Sequence, residues 1–115
     1  MEWFDMSVIN LNNAELEKLL QEEPDVLLLD VRTSQEFFML GHIPNACLLP
    51  IQELPGRMNT LNPEQKTVVI CEHGIRSHDA SHFLAYHGFK HVYQLAAGMA
   101  EWNGARAFAS AEVTE

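Results

Sequence analysis

The sequence predicts an α/β domain built on a mostly parallel sheet. Short apolar runs alternate with helical patterns along the chain, the order expected of parallel strands joined by helical crossovers. Two of the runs, Val26–Leu29 leading into Asp30 and Thr67–Cys71, are apolar or β-branched throughout rather than alternating. Such runs suit strands covered on both faces. A chain of 115 residues has the length of one domain and can bury a core without disulfide or metal staples.

Each element has a local cause. Ser7-Val8-Ile9 is a short first strand. Asn12 caps the helix that follows, with Glu15 three residues on completing a capping-box pair. Ala14, Leu16, Leu19 and Leu20 supply its apolar face, and Pro24 lies just past its end. After the Val26–Leu29 strand, Ser34 caps a short helix through Phe38 that ends before Gly41. Ala46–Leu49 is an apolar run stopped by Pro50. Ile51–Met58 is a short helix or turn interrupted by Pro55-Gly56, and Asn62-Pro63 marks a turn. Thr67–Cys71 is the clearest strand. A loop leads from it to a helix over Ser77–His87, closed by Gly88 in the left-handed conformation. His91–Leu95 is the last strand, and Gly98–Trp102 fits a final helical turn. Residues 1–104 form the domain, and 105–115 form a short acidic tail expected to fray.

Composition narrows the function. Lys and Arg number 7 and Asp and Glu 16, a formal net charge of −9. Nucleic-acid binders and anionic membrane surfaces both call for Lys and Arg, so neither partner is expected. No apolar run approaches the ~20 residues that span a bilayer. The first residues, Met1-Glu2-Trp3-Phe4-Asp5, are acidic where a secretory signal is basic. Two cysteines, Cys47 and Cys71, are not a disulfide framework. The chain therefore reads as a cytoplasmic protein with reduced thiols. Trp3 and Phe4 form either a docking patch or a cover for the sheet edge.

The chemistry points to Cys71. Ligands of open α/β sheets bind beyond the carboxyl ends of the strands, and Cys71 ends the clearest strand. Glu72-His73-Gly74-Ile75-Arg76 follows, then the helix at Ser77. The unpaired N–H groups and positive end of a helix stabilise a thiolate. Arg76 adds a permanent positive charge. Gly74 permits a tight loop whose N–H groups converge on an anion. A cysteine at such a place is either a small core residue or a reactive thiol. The glycine and the arginine at this spacing favour the thiol.

The stretch Cys71-Glu72-His73-Gly74-Ile75-Arg76-Ser77 resembles the active-site loop of rhodanese-type sulfurtransferases. Three further pieces resemble that family in the same order: Leu29-Asp30-Val31-Arg32 with Glu36-Phe37, Gly41-His42-Ile43-Pro44-Asn45-Ala46, and Gly88-Phe89 with Val92-Tyr93, Gly98 and Trp102. The resemblance implies a rhodanese-like three-layer sandwich, a five-stranded mostly parallel sheet with helices on both faces. It implies a single-domain sulfurtransferase in which Cys71 takes up a sulfane sulfur as a persulfide. The sulfur then passes to cyanide, a thiol or an acceptor protein such as a sulfur carrier, in a ping-pong cycle. Residues 72–77 (Glu72, His73, Gly74, Ile75, Arg76 and Ser77) would bind substrate, with Arg76 orienting an anionic donor. Asp30 and Arg32 would support the loop or line its mouth, either through a structural salt bridge that could take in Glu36 or by direct substrate contact, and His42 would fix the loop by a hydrogen bond. No metal or organic cofactor is implied.

The alternatives are a non-catalytic binding or regulatory module of the same fold and a phosphatase or arsenate reductase. Inactive relatives typically lack the cysteine. Phosphatase loops place five residues between Cys and Arg, whereas four stand between Cys71 and Arg76. Glu72 departs from the basic residue that many thiosulfate-using loops carry, and it should repel thiosulfate, with only Arg76 and protonated His73 to offset it. Ala97 stands where relatives often have a second glycine before Gly98. His78 and His82 have a metal-compatible spacing but read as a solvated helix face. Cys47 reads as core, or alternatively as a thiol that forms a disulfide with Cys71.

Overall fold

The computed structural model describes residues 8–108. Strands β1 (Val8–Leu11), β2 (Leu27–Asp30), β3 (Cys47–Leu48), β4 (Thr67–Ile70) and β5 (Val92–Leu95) form one sheet in the order β1-β5-β4-β2-β3. Every pairing within that sheet is parallel. The helices are α1 (Asn13–Glu22), α2 (Ser34–Met39), α3 (Leu54–Arg57) and α4 (Ile75–Tyr86), with single 3₁₀ turns at Ile51–Glu53, Met58–Thr60 and Met99–Glu101. None of the described helices is long and apolar enough to cross a membrane.

Alternation along the strands makes two cores. Leu29, Val31, Val69, Cys71 and Val92 face one side, where Leu54 of α3 and Ala80 and Leu84 of α4 cover them. Leu28, Val68, Ile70, Leu11 and Leu95 face the other side, against Leu16 of α1, Ile43, Met99 and Trp102. All four residues of β4 are buried, as the apolar run of a central parallel strand requires. Each fully buried Leu or Val contributes roughly 1.5–3 kcal/mol. Because β4 lies between β2 and β5, the segments leaving β2 (Val31-Arg32) and β5 (Ala96–Gly98) flank the loop that leaves β4 at Cys71.

The capping box at Asn12 and Glu15 forms with both reciprocal bonds at 2.8 Å. Several local expectations are corrected. Thr33, not Ser34, caps α2, because its hydroxyl sits three residues before Glu36 and the two form a reciprocal box. Pro55-Gly56 does not interrupt its helix. Pro55 falls in the first turn of α3, where its missing N–H has no carbonyl to bond. β1 reaches Leu11, and Ser7 lies outside the described residues, as do Trp3 and Phe4. The chain after Gly104 does not fray at once. Arg106 donates to the carbonyls of Leu40, Met99 and Trp102, and Ala107 pairs with His42 in both directions at 2.7 and 2.9 Å. Residues 109–115 lie outside the described part.

Cys47 is exposed rather than core. It lies on β3, a two-residue edge strand. Leu29 is in register with both Cys47 and Val69, so Cys47 is two strand spacings, roughly 9.5 Å, from β4. That exceeds the Cα separation a disulfide allows, and Cys71 lies further along the sheet.

Candidate active site

Cys71 is the first residue past β4, and its side chain is buried, 1% exposed. The chain turns back over it through Gly74, at φ +85°, and enters α4 at Ile75. The helix thus starts two residues before Ser77, because the left-handed glycine ends the loop. Ser77 does not cap the helix. Its backbone N–H and that of Gly74 both donate to Cys71 Sγ at 3.1 Å. Its hydroxyl lies 3.3 Å from the sulfur and donates to Gln94 Oε1 at 2.8 Å.

The second layer is backbone against backbone. The N–H groups of Met99 and Ala100 donate to the carbonyls of Cys71 and Glu72 at 2.8 and 2.9 Å. A Cβ on Gly74 would fall on the Ala96 carbonyl oxygen, and one on Gly98, at φ +78°, would fall on the Glu72 carbonyl. Both glycines are therefore required by close approach as well as by positive φ. Ala97, the departure noted in the sequence, is accommodated without disturbing these bonds.

The charged residues pair differently from the sequence expectation. Arg32, fully buried, donates to both carboxylate oxygens of Asp30 at 2.9–3.2 Å, to Glu72 Oε1 at 3.0 Å and to the Gly41 carbonyl at 2.9 Å. Glu72 thus shares Arg32 with Asp30, and the three side chains together keep one formal negative charge. Burial works against the Arg32 charge, but Asp30 and then Glu72 outweigh it and raise its pKa. Glu36 does not join Asp30 and Arg32. It accepts both arms of Arg76 at 2.8 and 2.9 Å. The Arg76 guanidinium holds the Glu36 carboxyl down to about 2, and the Glu36 hydrogen bond raises Arg76, helped by the charges of Cys71 and Asp30. Arg76 therefore stands beside the sulfur as a charge, while its fork is already filled.

His42 is an internal fastening. Its Nδ1 lies 2.9 Å from the Phe37 carbonyl, and its ring stacks on Phe37 at 3.7 Å between centroids. His73 in the loop and Ile75 at the start of α4 have exposed side chains. His78 and His82 sit on α4 with ring centroids 4.4 Å apart, and His78 is 60% exposed. Among the described residues no three His, Cys, Asp or Glu side chains are placed to hold a metal ion. Sequence reasoning missed Gln94. Its signal was a polar residue within Val92-Tyr93-Gln94-Leu95, a strand expected to be apolar on both faces.

A cysteine cradled by N–H groups between β4 and α4, on an all-parallel sheet of this order, has known relatives. The family model of the rhodanese-like domain matches residues 12–105. The chain belongs to the rhodanese-like family. Among rhodanese-like relatives, a protein of Allochromatium vinosum named sulfurtransferase is 34% identical over 95 residues, which are 83% of this chain and 88% of that one. The thiosulfate sulfurtransferase GlpE of Vibrio cholerae is 33% identical over 97 residues, 84% of this chain and 88% of its own. The crystal structure of a rhodanese-like domain protein from Staphylococcus aureus superposes with a TM-score of 0.80 at 30% identity, covering 89% of this chain and 99% of that one. The rhodanese-like three-layer fold is thereby established, and the family is one whose relatives bear sulfurtransferase names.

Proposed function

We propose that this rhodanese-like protein is a sulfurtransferase that carries sulfane sulfur on Cys71. The observation that carries the reading is the pair of backbone N–H groups held 3.1 Å from a buried Sγ at the start of a twelve-residue helix. In the first half-reaction the Cys71 thiolate attacks the outer sulfur of the donor. With thiosulfate, Cys–S⁻ and S–SO₃²⁻ give Cys–S–S⁻ and sulfite. With an organic persulfide, R–S–S⁻ gives Cys–S–S⁻ and R–S⁻. In the second half-reaction cyanide or a thiolate takes the terminal sulfur and restores Cys–S⁻. Ile75 and Arg76, in the first turn of α4, have N–H groups with no helical carbonyl to bond. They are the donors left for the terminal sulfur, and they favour its negative charge as an oxyanion hole does.

A phosphate-transfer reading is weaker, since the Arg76 fork that would grip phosphate oxygens is closed on Glu36. A persulfide cycle needs a reduced thiol, which fits the cytoplasm. Small sulfur donors and thiol, cyanide or sulfur-carrier acceptors are the proposed partners. Intact mass tests the reading. After incubation with thiosulfate or glutathione persulfide, the protein should gain one sulfur (about 32 Da) and lose it to cyanide. Cys71→Ser should gain none, and Cys47→Ser should load as the wild type does. No gain from any donor, or equal loading of Cys71→Ser, refutes it.

A further inference from the structure

Gln94 is 4% exposed and stands on β5 in register with Asn10 of β1 and Val69 of β4. It shares the sheet face of Val92 and Val69, against α4, where packing alone would place an apolar side chain. Both ends of its amide are bonded. Oε1 accepts the Ser77 hydroxyl at 2.8 Å, and Nε2 donates to Asn10 Oδ1 at 2.9 Å. Asn10 is exposed, so the line Cys71–Ser77–Gln94–Asn10 runs from the buried sulfur to the surface.

The direction of these bonds matters. Because the Ser77 proton goes to Gln94, a Ser77 lone pair faces Cys71 Sγ, and the hydroxyl accepts S–H at 3.3 Å. Two N–H donors, the N-terminus of α4 and the Arg76 charge favour an anion at the sulfur and act against its burial. A thiolate that is held too firmly is a poor nucleophile, since intrinsic nucleophilicity falls with basicity. We infer that Gln94 is a positioning residue that acts through Ser77, holding that hydroxyl as an acceptor toward Cys71 and so moderating the thiolate. The inference rests on the reading of Cys71 as the sulfur-carrying nucleophile.

The other charged or titratable groups around the site are Asp30 and Arg32 at the end of β2, Glu36 on α2, Glu72 and His73 in the loop, and Arg76 on α4. None is altered by a change at Gln94. The test is the rate of alkylation by iodoacetamide as a function of pH, in a Cys47→Ser background that removes the exposed thiol. In Gln94→Leu the Ser77 hydroxyl is released to donate to the sulfur. The midpoint of the curve should fall by about half a unit or more; the rate below the midpoint should rise about twofold, because the gain in thiolate is partly offset by its lower nucleophilicity. In Ser77→Ala the Gln94→Leu change should have no effect on the midpoint. Thermal melting checks that each variant is folded. An unchanged midpoint in Gln94→Leu overturns the inference, as does a rise, which would mean that the amide donates to Ser77. A shift that persists in the Ser77→Ala background also overturns it. Sulfur loading by mass, run on the same proteins, reports separately on the transferase reading.

Discussion

At the scale of the residue, the loop's demands can be separated into conformation and space. Gly88 and Gly74 both have positive φ, +94° and +85°, but only Gly74 has a neighbour where a Cβ would go. Gly88→Ala should cost about 1 kcal/mol, the strain of a left-handed alanine. Gly74→Ala adds a collision with the Ala96 carbonyl and should cost roughly 3 kcal/mol or more. Urea denaturation compares them, and equal losses would show that the loop yields to the extra carbon. Glu72 gives a second test. It touches Arg32, whose side chain is 0% exposed. Glu72→Gln keeps an acceptor and should lose about 1 kcal/mol. Glu72→Arg puts two guanidinium groups together and should lose roughly 2–4 kcal/mol. A stable Glu72→Arg protein would mean that the pair contributes little.

At the scale of the element, the Arg76–Glu36 bridge fastens the start of α4 to α2 across the site. The folded Glu36 carboxyl is held down to about 2, below the 4.5 of an unperturbed glutamate. A depressed carboxylate stabilises the fold above its unfolded value, and the contribution is lost as pH falls from there through the folded value. Since these side chains are 34% and 25% exposed, solvent reduces the shift's worth to roughly 1–2 kcal/mol. Glu36→Gln should therefore be less stable than wild type at pH 7 by that amount, and the gap should narrow as pH falls from about 4.5 towards about 2. A gap that does not narrow over that range would show that packing, not charge, is lost. This bridge marks the limit of what the chain discloses without coordinates. The alternation of Leu28 and Leu29, the β4 run and the Asn12 box are one-dimensional signals, and each is read directly. The Cys-to-Arg spacing is one too. Which carboxylate meets which arginine depends on where the ends of β2, β4 and α2 converge, and no spacing encodes that. Ser77 misled because serine usually caps helices, whereas here its backbone N–H and hydroxyl both turn inward to the sulfur. Cys47 misled because an apolar run on a two-residue edge strand leaves one of its side chains in solvent.

At the scale of the whole molecule, the cations are already committed. Lys and Arg number 7. Lys18, Arg32, Arg57, Lys66, Arg76 and Lys90 each pair with a carboxylate, and Arg106 serves three carbonyls. The formal charge of −9 already counts these seven, and none of them has its donors left without a partner at the mouth of the site. The expected discrimination against thiosulfate then does not rest on Glu72 alone, since Asp30, Arg32 and Glu72 together contribute only one of the nine formal negative charges in the whole chain's balance. A dianion must approach Cys71 through the field of an acidic molecule. Fields between exposed charges are screened over about 10 Å at 0.1 M salt and about 3 Å at 1 M. At low ionic strength kcat/KM for thiosulfate should fall tenfold or more below that for a persulfide of a neutral alkyl thiol. Raising the salt should speed thiosulfate loading severalfold and leave the persulfide, with its single charge, less affected. GlpE of Vibrio cholerae is named for thiosulfate, so the same pair of titrations on that relative separates the charge of this chain from the shared fold. Equal salt response for both donors would locate the discrimination inside the loop, in the Arg76 fork that Glu36 closes. Glu36→Gln, by opening that fork, should then raise thiosulfate loading without any dependence on salt.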